Sequence, residues 1–201
     1  MQALVTGFAP FGGDAINPSY EAVRRLPAGV GNLVVVTAEL PTSFARAPRV
    51  LRALIAREKP AIVLCVGLAA DRPAISIERV AVNWCDARTA DNDGAQLRDK
   101  AVIARGPAAY FSTLPVAQTV EAVVRAGIVA EASLSAGAFV CNHVFYGLMH
   151  AAAKNRRIRR AGFVHVPALP ADGSEAVLAN LTRALEIILR VSEERGNRGK
   201  I

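Results

Sequence analysis

Cysteine is scarce in this chain. Three residues in 201, Cys65, Cys85 and Cys141, are an odd number at spacings that match no zinc motif and build no disulfide framework. No apolar run reaches the length of a membrane-spanning helix, so no membrane partner is expected. Aromatic residues make up only 5% of the chain, and the basic stretches at 155–160 and 193–200 carry none between their charges. Without stacking side chains or a recognition motif, the net charge of +7 predicts no nucleic-acid partner; a solvated turn and a frayed tail at about 195–201 account for it. No internal repeat and no linker rich in Gly, Ser or Pro divides the sequence, which predicts a single domain over 1–201. The N-terminus enters a strand-like segment without a basic n-region or cleavage site, so a reduced, cytoplasmic protein is expected.

What is present is an alternation of apolar strand-like runs with helix-like ones. Strands are expected at 2–6, 33–38, 61–66, 75–82, 110–112, 132–135 and 162–166. Helices are expected at 19–25, from a cap at 41–43 to about 57, and at 116–126, 140–153 and 174–194. The segment 61–66 is apolar throughout, as a strand covered on both faces should be. This pattern predicts an α/β layered fold, with helices on both faces of a mostly parallel sheet. Residues 83–107 show no helical period, and a loop of that length in a compact domain is commonly a pocket wall or lid.

The stretch Ser135-Ala-Gly-Ala-Phe-Val-Cys141-Asn-His143 carries the chemistry. Cys141 falls in the first turn of a helix, where unpaired N–H groups and the helix dipole favour a thiolate. A thiol nucleophile needs a base, and only three histidines exist. His143 is two residues away and faces elsewhere; His150 lies over two turns down the helix axis. His165 stands near the carboxyl end of an apolar strand that Pro167 terminates, and is therefore the expected base. Glu78, inside an apolar strand, either holds that imidazole or pairs with Arg72 or Arg79, and Asp86 is the next candidate for the orienting carboxylate. The loop Thr6-Gly-Phe-Ala-Pro-Phe-Gly-Gly13 lacks the ending of a phosphate cradle. Phe8 and Phe11 either wall a slot for a planar uncharged ligand or pack under a helix.

In these residues the chain resembles the pyrrolidone carboxyl peptidase (pyroglutamyl peptidase I) family. The likeness is carried in order by Thr6-Gly-Phe-Ala-Pro-Phe-Gly-Gly-Asp-Ala-Ile-Asn-Pro-Ser19, Glu78-Arg-Val-Ala-Val-Asn83, Asp86-Ala-Arg88, the Cys141 block and Gly162-Phe-Val-His-Val-Pro167. The resemblance implies an αβα sandwich around a twisted sheet, often assembled as a homotetramer, using neither metal nor organic cofactor. It implies a cysteine exopeptidase that hydrolyses the bond after an N-terminal pyroglutamyl residue through a thioester acyl-enzyme. The triad would be Glu78, Cys141 and His165, with Arg88 near the scissile carbonyl as transition-state support. Phe8 and Phe11 would sandwich the pyroglutamyl ring, with Phe139 and Val140 beside it and Asn17 near the pocket.

Some positions depart from the family pattern. Leu68 stands where a glutamine is common, Asp71 replaces a glycine, Thr89-Ala90 replaces Ile-Pro, and Trp84-Cys85 replaces an apolar–acidic pair. Leu68 and Asp71 motivate an alternative, a thiol amidase for a different N-terminal acyl group. The +7 charge motivates another, a non-catalytic binder of acidic partners.

Overall fold

A computed structural model describes residues 1–170 and 174–194, so the tail expected to fray at 195–201 lies outside the described residues. Seven strands form the main sheet: β1 (Gln2–Phe8), β2 (Gly29–Val30), β3 (Leu33–Leu40), β4 (Ile62–Leu68), β5 (Ile75–Glu78), β8 (Ala130–Ser133) and β9 (Arg160–Val166). A separate pair joins β6 (Val80–Val82) to β7 (Ala109–Phe111). The helices are α1 (Pro18–Val23), α2 (Ala47–Glu58), α3 (Val116–Arg125), α4 (Val140–Lys154) and α5 (Glu175–Glu193).

The main sheet runs in the order β2-β3-β1-β4-β9-β5-β8. Its centre, β3-β1-β4-β9, is parallel, and β5 pairs antiparallel with β9. Alternating side chains feed two separate cores, because successive residues of a strand point to opposite faces. Ile62, Leu64 and Val66 of β4 join α1, α3 and α5 on one face; Val63 and Cys65 join α2 and α4 on the other. The result is the expected three-layer α/β sandwich. The same alternation puts Phe8 of β1, Gly67 of β4, His165 of β9 and Glu78 of β5 on the α2/α4 face.

Besides β2, an edge strand that the sequence pattern does not predict, and β8, which lies two residues ahead of the expected 132–135, two elements differ from expectation. The apolar run 75–82 is not one strand: it breaks at Arg79, after which β6 leaves the main sheet and pairs with β7. The Arg79 N–H instead donates to the Ser133 carbonyl at the end of β8. The helix expected to follow the 41–43 cap begins later, at Ala47. Ser43 Oγ accepts from Arg46 N at 3.0 Å and closes a separate turn ahead of it, with a proline in the first turn of α2 itself.

Candidate active site

Three elements converge on the face beneath α4. β9 and β5 carry His165 and Glu78; α4 carries Cys141 in its first turn. His165 Nδ1 lies 2.8 Å from Glu78 Oε1, with the two residues 4% and 0% exposed. The same carboxylate oxygen accepts from Arg72 at 2.8 Å, so both partners open to Glu78 in the sequence, the imidazole and an arginine, are present at once. Arg72 also donates to Ser133 Oγ at 3.2 Å and to the Ser135 carbonyl at 2.7 Å, tying the carboxylate to the loop that leads into Cys141. Glu78 Oε2 is buried with no hydrogen-bond partner among the described residues. Burial opposes its charge, but the hydrogen bonds and charges of His165, then Ser133 and Arg72, hold the carboxyl below its usual range. Glu78 is therefore an ionised carboxylate aimed at an imidazole. Asp86 instead pairs with Arg98 at 2.9 Å.

Cys141 meets this pair across one glycine. A Cβ added to Gly67 would lie 2.9 Å from Cys141 Sγ and 2.8 Å from Phe163 Cζ. Gly67 in turn is the register partner of His165, and the Phe163 and His165 rings lie 4.9 Å apart between centroids. The absent side chain at Gly67 is what lets the sulfur reach the sheet beside the imidazole. The first turn of α4 has no side-chain cap, which leaves its backbone N–H groups for another acceptor.

The thiol itself differs from expectation. Burial pushes Cys141 up to about 12, the negative charge of Glu78 adds to the effect, and Arg72 opposes it only in part. Burial of the sulfur and the facing carboxylate favour the neutral thiol in the resting site.

A cavity of about 90 Å³ opens beside the sulfur, lined by Phe8, Phe11, Asp14, Asn17, Thr42, Leu68, Phe139, Val140 and Cys141. It therefore contains all five residues expected at the pocket, together with Asp14, Thr42 and Leu68. Phe11 and Phe139 are tilted against each other at 5.2 Å, while Phe8 is packed near Phe163 at 6.3 Å. Asn17 also holds the local fold together. Its Oδ1 accepts from Ser19 N and Ser19 Oγ, capping α1, and its Nδ2 donates to the Ala9 carbonyl at 3.1 Å. Thr42 Oγ1 donates to the same carbonyl at 2.9 Å, which orients its lone pairs away from that bond. Arg88 is not in this cavity. It is exposed and lines an adjoining groove that shares Phe139.

The other departures are local. Asp71 is exposed and is not among the residues with positive φ, so replacing a glycine there strains nothing. Cys85 lies 3.1 Å from His143 Nδ1, a contact that the sequence does not suggest, and His150 Nδ1 meets the Tyr110 hydroxyl at 2.8 Å. Burial pushes the Cys85 thiol up to about 11; burial and the charge of Arg52 bring His143 down to about 4. Both shifts favour the neutral forms of the pair, which share one hydrogen bond between sulfur and Nδ1. Cys65 is buried and pushed up to about 12. Among the described residues no cluster of His, Cys, Asp and Glu is placed to hold a metal ion, and no helix is long and apolar enough to cross a membrane.

Comparison with known proteins gives one answer. The family model described as pyroglutamyl peptidase matches residues 1–188. A pyrrolidone-carboxylate peptidase 1 of Ralstonia nicotianae is 48% identical over 202 residues, covering 95% of this chain and 94% of its own length. A pyrrolidone-carboxylate peptidase of Thermosipho africanus is 46% identical, covering 85% of this chain and 83% of its own length. The crystal structure of pyroglutamyl peptidase I from Bacillus amyloliquefaciens superposes with a TM-score of 0.90 at 40% identity, covering 95% of this chain and 96% of that one. The pyrrolidone carboxyl peptidase from Thermococcus litoralis gives 0.91 at 36% identity, covering 95% and 92%.

Proposed function

The chain belongs to the pyroglutamyl peptidase family, and we propose that it is a cysteine peptidase that hydrolyses the amide bond after an N-terminal pyroglutamyl residue. Cys141 is the nucleophile, His165 the general base and Glu78 the group that orients the imidazole and balances its charge. The observation that carries this reading is the Glu78–His165 hydrogen bond of 2.8 Å lying one glycine away from a sulfur-lined, mostly apolar cavity.

Because the resting thiol is neutral, proton transfer accompanies attack. Nδ1 of His165 is engaged by Glu78, which leaves Nε2 to take the thiol proton as sulfur adds to the pyroglutamyl carbonyl. Uncapped N–H groups in the first turn of α4 receive the oxyanion, and Arg88 adds positive charge from the adjoining groove. The imidazolium then protonates the departing amine, the C–N bond breaks and a thioester remains. His165 next takes a proton from water, and hydroxide addition releases pyroglutamate and the thiol. Glu78 stabilises the imidazolium in both halves.

The cavity suits the acyl group. Pyroglutamate has no free α-amine, so apolar walls from Phe8, Phe11, Phe139 and Val140 cost it no buried charge, and Thr42 Oγ1 offers a lone pair to the lactam N–H. Release of a coumarin fluorophore from its pyroglutamyl amide tests the reading, with loss of release in Cys141→Ala as the expected result. One observation favours a second reading: Leu68 puts an apolar side chain in the cavity wall. A wild-type chain inert to the pyroglutamyl amide but active on another N-blocked amide would favour that different acyl group. Family membership also supports a cytoplasmic homo-oligomer, a tetramer by resemblance, which sedimentation would test.

A further inference from the structure

Two cavities meet at Phe139. One holds the Cys141 sulfur; the other is an open groove of about 530 Å³ whose lining includes Val82, Trp84, Arg88, Ser135 and Phe139. Strand order decides which part of a substrate each can hold. Cys141 Sγ stands over Gly67 on β4. The sulfur-lined cavity is built on the β1 and β3 flank of that point, from Phe8 at the end of β1, Thr42 just after β3 and Leu68 at the end of β4. His165 on β9 and Glu78 on β5 lie on the opposite flank. An amine that leaves after thioester formation must take its proton from His165, so the chain attached to it departs toward β9 and β5. The open groove borders that flank: its Ser135 carbonyl is held by Arg72, which also holds Glu78. Its Val82 is stitched to the first turn of α4 by paired bonds with Asn142, whose Nδ2 donates to the Val82 carbonyl at 2.9 Å while its Oδ1 accepts from Val82 N at 3.0 Å.

We propose that this groove is the binding site for the leaving peptide, and that Trp84 and Arg88 select the one or two residues that follow the scissile bond; the proposal rests on the peptidase reading above. Trp84 is 44% exposed, yet its indole N–H is fixed on Asp99 Oδ1 at 3.0 Å, so the ring is anchored at its edge while part of its surface stays open. An anchored, half-open indole favours an aromatic or large apolar side chain immediately after pyroglutamate. The charge of Asp86 is taken by Arg98, and Arg88 makes no ion pair among the described residues. A free guanidinium in the groove favours a carboxylate one residue further on, either an acidic side chain or the peptide's own C-terminus. The site therefore fits short peptides of the form pyroglutamyl–aromatic–acidic.

The test is competition between pyroglutamyl-Phe-Glu-amide, pyroglutamyl-Gly-Glu-amide and pyroglutamyl-Phe-Lys-amide, read by mass spectrometry as ratios of kcat/KM. Wild type should favour Phe over Gly and Glu over Lys, each by roughly three- to tenfold, the size of one partly exposed aromatic or ionic contact. Trp84→Ala should bring the Phe/Gly ratio to about one and Trp84→Tyr should restore most of it. Arg88→Glu should slow all three substrates, through loss of the charge that supports the oxyanion, and should still invert the Glu/Lys ratio, in which that common loss cancels. Ratios near one in wild type, or ratios unmoved by both variants in chains that keep the wild-type circular dichroism spectrum, would overturn the proposal while leaving the peptidase reading intact. Failure of wild type to cleave any of the three, or undiminished cleavage by Cys141→Ala, would instead overturn the reading beneath it.

Discussion

Two cysteine–histidine neighbourhoods share the first turns of α4, and they differ in almost every property except composition. Cys85 and His143 are in direct contact at 3.1 Å, but Cys85 is 0% exposed, and the imidazole is held near 4, far below any value at which it would shuttle protons near neutrality. His143 also stacks edge-on against Phe44 at 5.4 Å, and Phe44 packs against Phe139. That neighbourhood joins the long loop to the helix. Cys141 and His165 have no hydrogen bond between them among the described residues, yet the imidazole is oriented by an ionised carboxylate and the sulfur opens on a cavity. Under the proposed assignment, access and an orienting charge mark the nucleophile, and a short sulfur–nitrogen distance does not.

The largest break in that comparison comes from the sulfurs themselves. Cys141→Ala should lower kcat/KM for a pyroglutamyl amide by at least about 10⁴-fold, whereas Cys85→Ala should change it by less than about threefold and cost roughly 1–2 kcal/mol of stability in urea melts. A chain disabled by Cys85→Ala but active as Cys141→Ala would reverse the assignment.

Glu78→Gln sharpens it next. Turnover should fall by about 10²–10⁴-fold through loss of the imidazole's orienting charge. Removing the anion that helps push Cys141 up should at the same time move the pH dependence of its alkylation to lower pH. Iodoacetamide kinetics across pH measure this, and an alkylation profile that stays put would show that Glu78 does not act on the sulfur. Gly67→Ala follows, because its methyl group would lie 2.9 Å from Cys141 Sγ and 2.8 Å from Cζ of the buried Phe163; a loss of roughly tenfold or more in kcat is expected, together with about 1–3 kcal/mol of destabilisation in urea melts.

The sealed pair acts on stability and leaves turnover alone. His143 takes up its proton near 6.5 when unfolded and only near 4 when folded. Between those values the unfolded chain binds more protons, so stability falls as the pH is lowered through this window, by on the order of 2–3 kcal/mol. Glu78, held below its usual range, adds a loss at still lower pH, as it too must be protonated. Urea midpoints between pH 7 and 4 should fall in wild type, with a shallower fall in His143→Asn.

Much of this arrangement is legible in the sequence because its signals are local. The apolar period of 140–153 marks α4 to within a residue, and the strand ending at Pro167 marks β9. The run 75–82 misleads because Val80 to Val82 continue the apolar pattern; only the partner strand β7 reveals that they leave the main sheet. The helix position that favours an acidic Cys141 is visible in sequence, while the burial and facing carboxylate that win are tertiary facts. Arg72 reads in sequence only as a competitor for Glu78, since spacing cannot show one oxygen shared by two donors. The Cys85–His143 contact joins residues 58 apart through the path of a loop that carries no periodic signal.

The most direct measurement is to mix wild-type protein with a pyroglutamyl amide, quench in acid before turnover is complete, and map the trapped acyl group by peptide mass spectrometry. A pyroglutamyl thioester on the peptide containing Cys141 and an unmodified peptide containing Cys85 are expected. An acyl group on Cys85, or full turnover with Cys141 replaced by alanine, would contradict the assignment of Cys141.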